Sequence, residues 1–97
     1  MQFIALLRRR TEKFADTDFA PVLPDEGEQR RRLYAEGHIR QIWNRTDQPG
    51  TAFLFEAADD AEVRQDLATL PLVKTEMMEI TAVTGLAPYP GFGPTRK

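Results

Sequence analysis

The chain opens with one short apolar run, "QFIALLR" (Gln2–Arg8), that ends in charges and predicts a buried strand. A polar connector follows, "RRTEKFADTDFAPVLP", whose two prolines stand three residues apart. Pro24 with Asp25 and Glu26 behind it predicts a helix start, because proline suits a first turn and acids there complement the helix dipole. A start near Pro21 would leave Pro24 without an N–H that the helix needs. The helix runs through "EQRRRLYAE" and stops at Gly37, a suitable C-terminal cap. "HIRQIWNR" predicts a second strand and "TAFLFEA" a third, joined across the turn cluster "TDQPG" as an antiparallel hairpin.

In "ADDAEVRQDLATLP", Asp59 with Glu62 three residues later resembles a capping box. Val63, Leu67 and Leu70 then form one apolar stripe at helical spacing, and Pro71 is expected to close the element. "EMMEITAVTGL" predicts the fourth strand, with the adjacent Met77 and Met78 on opposite faces as packing residues. The remainder, "APYPGFGPTRK", is rich in proline and glycine, and its Tyr89 and Phe92 suggest docking on something.

The order β-α-β-β-α-β is the ferredoxin-like plan, an α+β fold whose four-stranded antiparallel sheet carries both helices on one face. The expectation is a single domain over 1–97, with 86–97 an extended C-terminal tail. The strands are apolar on both sides, since Phe53 and Phe55 alternate with Leu54. A bare apolar sheet face is usually covered by another copy of itself, which predicts a homo-oligomer.

Composition narrows the function more than the fold. At 97 residues and a net charge of −2, the chain has no global field to draw nucleic acid or an anionic membrane. No segment is long enough to span a bilayer, and "MQFIALLRRR" is too short an apolar run for a signal peptide. With no Cys and a single His, thiolate and multi-histidine metal sites are excluded. Glycine-rich phosphate loops and G-x-S-x-G elbows are absent from the sequence. A cytoplasmic protein with no cofactor and no metal is expected.

Candidate chemistry gathers on the first helix and second strand. Leu23, Glu26, Arg30, Leu33 and Gly37 follow steps of three and four, so Glu26 and Arg30 line up with residues facing the sheet. Glu28 falls on the solvent side. A carboxylate withdrawn from water beside an arginine suits a general base; the alternative is an i,i+4 surface pair contributing about 0.2–0.5 kcal/mol. Period-two alternation puts His38, Arg40 and Ile42 on one strand face and Ile39, Gln41 and Trp43 on the other. Arg40 within a strand calls for an anion, either a ligand carboxylate or an intersubunit salt bridge. Trp43 offers a flat wall for a ligand or an anchor for a core or interface. His38 beside Gly37 reads as a helper or simply as partly exposed. The "RRR" runs at 8–10 and 30–32 are offset by nearby acids.

Three segments in order resemble the muconolactone delta-isomerase family: "RLYAEGHIRQIWNR", like its R-L-x-x-E-G-x-x-R-x-x-W stretch; "LATLPLV", like its L-x-x-L-P-L/F segment; and "EITAVTGLAPYP", like its ending with a near-terminal H/Y-P. The resemblance implies a dimeric α/β barrel built into a larger homo-oligomer, up to a decamer, with clefts that neighbouring subunits help to close. It implies a cofactor-free isomerase that moves a proton on an unsaturated lactone carrying a carboxymethyl arm, or a related lyase that eliminates chloride. The resemblance places the proton acceptor on Glu26. His38, Gln41 or a backbone N–H would then steady the enolate, and Arg40 would hold the substrate carboxylate. Trp43 would pack on the ring, and Tyr89 would complete the substrate-binding set. Ile39 and Gln41 depart from the aromatic and the His or Tyr common beside that arginine, which points to a different or larger enolisable carbonyl substrate in aromatic degradation or biosynthesis. A cofactor-independent monooxygenase on the same barrel and a non-catalytic oligomeric ligand-binding domain are the alternative readings.

Overall fold

A computed structural model describes residues 1–94. Strand β1 (Gln2–Arg9) is followed by the single-turn helix α1 (Asp16–Phe19) and the long helix α2 (Leu23–Ala35). The hairpin β2 (Ile39–Asn44) and β3 (Gly50–Glu56) comes next. Helices α3 (Asp60–Ala68) and α4 (Pro71–Lys74) and strand β4 (Met78–Leu86) complete the order. The sheet order is β2-β3-β1-β4 with every neighbouring pair antiparallel, which is the ferredoxin-like arrangement.

The strands alternate as half-covered antiparallel strands should. Phe3, Ala5 and Leu7 of β1 and Thr51, Phe53 and Phe55 of β3 are buried, while Ile4, Leu6, Ala52 and Leu54 between them are only half-buried. Phe19, Leu33, Val63, Leu67, Leu70 and Leu72 close over the inward row and form one core with it. The opposite face stays open, with Ile4 beside Leu54, Leu6 beside Ala52, and Trp43 beside Ala52 at 47% exposure.

Five local features differ from the sequence expectations, each for a physical reason. The connector before the long helix is not structureless: α1 forms within it and drives Phe19 into the core. Helix α2 begins at Leu23, so Pro24 stands at its second position, where no intrahelical N–H is yet required. Pro71 does not close α3, which ends at Ala68; it opens α4, where fixed φ and a missing N–H are tolerated. Met77 and Met78 are both buried rather than split between faces, because Met77 lies in the turn before β4, next to Glu76 at φ 60°.

The fifth difference matters most for function. The β2–β3 register slips at Arg40: Ile39 faces Phe55, but the next pairing is Gln41 with Leu54. Arg40 is the extra residue of a β-bulge, which resets the alternation after it. Ile39, Ile42 and Asn44 therefore share the helix side with Phe55, Phe53 and Thr51, whereas Gln41 and Trp43 stand on the open face. The expected grouping of Arg40 with Ile42 does not occur.

Beyond Leu86 the residues 87–94 are exposed, and Tyr89 and Phe92 stack edge-to-face at 5.0 Å on one another. The radius of gyration is 15.5 Å, against roughly 12–13 Å for a compact chain of this length, because this arm leaves the body. The final residues expected in the tail, 95–97, lie outside the described residues.

Candidate active site

The inward rows of three adjacent strands are apolar until they reach one end of the sheet, where all turn polar together. In β1, Phe3, Ala5 and Leu7 lead to Arg9; in β2, Ile42 leads to Asn44; in β3, Phe55 and Phe53 lead to Thr51. Helix α2 crosses above this end, and its Leu23, Glu26, Gly27 and Arg30 complete a cleft with Arg9, Asn44, Arg45, Pro49, Gly50 and Thr51. Its volume is about 400 Å³, within the range of small-molecule sites, roughly 300–1,000 Å³. Gly50 is required here, because a Cβ would come within 2.1 Å of the Leu7 carbonyl oxygen.

Glu26 is the buried carboxylate of this cleft, 3% exposed, while Glu28 two residues on is exposed, as helical spacing predicts. One oxygen, Oε1, accepts from the Leu72 backbone N–H at 2.9 Å, and Oε2 accepts from Arg30 Nε at 2.6 Å. Glu26 thus ties α2 to the first turn of α4, satisfying a helix-start N–H that would otherwise be buried without a partner. Arg30 is fixed in turn: its second nitrogen donates to Thr51 Oγ1 at 3.2 Å, and its guanidinium lies over the Phe53 ring at 5.1 Å. The pair is therefore not the solvent-screened surface pair of the alternative reading. Each carboxylate oxygen keeps a second lone pair, so proton acceptance remains chemically open.

The other cleft residues differ in how firmly they are engaged. Arg45 is clamped by Asp47, with Nη2 and Nε at 2.7 and 3.0 Å from the two carboxylate oxygens. The hydrogen bond from Arg45 holds the Asp47 carboxyl below its ordinary range. Arg9 places its guanidinium 4.8 Å from the Phe19 ring centre. Among the described residues, the side chains of Arg9 and Asn44 have no hydrogen-bond or ion-pair partner.

Of the site residues expected from the sequence, Glu26 lines this cleft, with Arg30 beside it on the helix, and the other five do not. His38 sits at the other end of the sheet, where its carbonyl accepts from Glu56 N–H. Five residues of β3 separate that point from Thr51, on the order of 17 Å of strand. There His38 Nδ1 and Asp66 Oδ2 pair at 2.8 Å, with Glu36 Oε2 3.8 Å from Nε2. The hydrogen bond with Asp66 raises the His38 pKa above its ordinary 6.5. Arg40 is exposed at the bulge and Gln41 and Trp43 face outward from the sheet, with Gln41 Oε1 accepting from Ile42 N–H. Tyr89 is 69% exposed on the arm. The structure does not bring these five together with Glu26 in one chain. Arg9, Asn44, Arg45 and Thr51 escaped notice in the sequence. A signal for Arg9 was present, since the period of two from Phe3 lands a cation on the inward row.

The fold and cleft together define a small ferredoxin-like α+β protein with a buried carboxylate over a polar, arginine-lined floor. Residues 1–91 match the model of the family described as muconolactone delta-isomerase. The chain belongs to the muconolactone delta-isomerase family. Among solved structures, it is similar to a crystal structure of muconolactone isomerase with a TM-score of 0.75 and 24% identity. That likeness covers 99% of this chain and 98% of the other, and it establishes the fold. No curated protein matches the chain.

Proposed function

We propose that the protein is an intramolecular isomerase of the muconolactone isomerase type, shifting a proton on an enolisable unsaturated lactone with Glu26 as the base. The observation that carries this is the buried Glu26 carboxylate, held by two named donors yet lining an open cleft of small-molecule size. Family membership supports the same reaction class.

In this reading the lactone enters beneath α2 with its acidic C–H against Glu26. The proton passes from carbon to a carboxylate oxygen, and the electron pair moves into the ring carbonyl and its conjugated double bond. Asn44, whose amide has no partner among the described residues, donates to the developing enolate oxygen. Glu26, whose carboxyl proton exchanges with solvent between the two transfers, then protonates the far carbon of the allylic system, which leaves the double bond shifted and the base regenerated. If the carbon next to the deprotonated one carries chloride, the electron pair instead forms a double bond to that carbon as chloride leaves, which gives the related elimination. The two donors that hold Glu26 orient it before substrate arrives, which lowers the entropic part of the barrier.

His38, Arg40, Gln41, Trp43 and Tyr89 lie outside their own chain's cleft, so any part they take is in a neighbour's. We therefore also propose a homo-oligomer, for which the open apolar face around Trp43 and the projecting aromatic arm are the support. The dimeric barrel expected from the resemblance is one such arrangement.

The test is proton exchange into a carboxymethyl-substituted unsaturated lactone in D2O, followed by NMR. The expected result is deuterium at the α carbon and slow appearance of the shifted alkene. Glu26→Gln should cut both by about 10²–10⁴-fold while the protein stays folded. Full exchange in that variant refutes Glu26 as the base. Its two hydrogen bonds also suit a purely structural carboxylate; in that case the wild-type protein exchanges nothing, and Glu26→Gln only loosens the fold.

A further inference from the structure

Three guanidinium groups, those of Arg9, Arg30 and Arg45, line the Glu26 cleft against that one carboxylate, in a chain whose overall charge is −2. Two of the three are already engaged by acids: Arg30 by Glu26, and Arg45 by Asp47. Arg9 makes no ion pair and no side-chain hydrogen bond among the described residues, although it closes the inward row of β1 at the floor of the cleft. A guanidinium in a half-buried position carries a desolvation cost unless an anion meets it. Among the described residues its guanidinium rests against the Phe19 ring, which keeps the planar fork in place without occupying its N–H groups. Arg40, by contrast, is exposed at the bulge on the sheet edge and is not part of the cleft.

We infer that Arg9 is the carboxylate-binding residue of the cleft, receiving the acid arm of the substrate while Glu26, across the cleft, meets the ring. The inference rests on the isomerase reading for what the carboxylate is attached to, but not for its existence. It assigns to Arg9 the anchoring role that strand position suggested for Arg40. Arg45, pre-paired by Asp47, adds positive potential without offering its fork. A ligand of this kind is a small carboxylic acid whose ring lies within one molecular length of the acid group. Its uncharged ester should lose most of the affinity.

The test uses the full chain and a saturated five-membered lactone with a carboxymethyl arm, a probe that cannot turn over, with binding read by calorimetry or NMR titration. Arg9→Met and Arg9→Lys should each weaken binding roughly 10- to 100-fold. Lysine fails because it keeps the charge but not the bidentate fork. The melting temperature of both variants establishes that they are folded, and Arg9→Lys keeps the question answerable if the methionine variant is not. Arg40→Gln should bind the probe as wild type does, and the methyl ester should bind wild type and Arg9→Met alike. The inference is overturned if the wild type does not bind the probe, if Arg9→Lys binds as tightly as wild type, or if Arg40→Gln carries the loss instead. Inorganic phosphate displacing the probe at equal concentration would overturn the carboxylate assignment in favour of a general anion site. Binding that depends on Arg9 in a protein that exchanges no lactone proton upholds the subsite and sinks the isomerase reading alone.

Discussion

Glu26 carries both the proposed chemistry and a structural joint, and the two roles separate by comparing two substitutions. In Glu26→Gln the amide oxygen still accepts from the Leu72 N–H, but the charged partner of Arg30 is gone. A hydrogen bond to a charged group contributes about 1.5–3 kcal/mol, and Arg30 retains Thr51 and the Phe53 face, so the loss should fall in the lower half of that range. Glu26→Ala removes the Leu72 acceptor as well. An orphaned buried N–H adds about 1–3 kcal/mol, giving a total near the 3–5 kcal/mol typical of a broken buried pair. At roughly 4–8 °C per kcal/mol for a domain this size, the alanine variant should melt well below the glutamine variant. The assay is urea unfolding and thermal melting at one fixed protomer concentration, because assembly makes the midpoint concentration-dependent. Equal losses for the two variants would show that the Glu26–Leu72 bond contributes nothing. No loss in either would show that the carboxylate is not buried as described.

The single histidine provides a clean pH readout. Its pKa is raised chiefly by the hydrogen bond to Asp66, with Glu36 and Glu62 adding to the effect against some desolvation. Because the folded value lies above the unfolded one, this contribution to stability is complete below about pH 6.5 and fades as pH rises through the folded value. An NMR titration of His38 should show the raised midpoint, and Asp66→Asn should return it toward 6.5 and flatten that part of the stability profile. An unchanged midpoint in Asp66→Asn would refute the pairing. For assembly, Trp43→Lys places a charge on the open face and should shift light-scattering mass toward the monomer without altering the far-UV spectrum. An unchanged mass would place the interface elsewhere.

Much of the architecture is legible in the sequence because its signals are periodic. The 3.6-residue spacing of Glu26, Arg30 and Leu33 puts the acid on the buried side, and the same spacing separates Glu28. What stayed hidden lacks a period. Helices α1 and α4 are single turns with four residues each, too short for an amphipathic stripe. The bulge at Arg40 inserts one residue, so the two-residue rule reports the wrong face for everything on one side of it. The cleft floor is less legible because Arg9 stands within a charged run, although the two-residue period from Phe3 carries it to the inward row, opposite Met78 in β4. The bond between Glu26 and Leu72 spans 46 positions, and no local pattern encodes it.

The bulge in β2 has a consequence for how copies of this chain meet. Strand β2 is one of the two outer strands of the sheet, with one side of its backbone unpaired by β3. A flat outer strand invites another strand to add alongside it, and repetition of that step gives fibres rather than closed particles. The kink at residue 40 interrupts the ladder such an addition needs, and a solvated guanidinium stands at the kink. Growth at this edge is discouraged, which in the proposed homo-oligomer favours the open face and the C-terminal arm as the routes by which subunits join. Arg40 on this view is a guard at the margin of the sheet, and a sequence that replaced it with valine and straightened the strand would open this edge to aggregation.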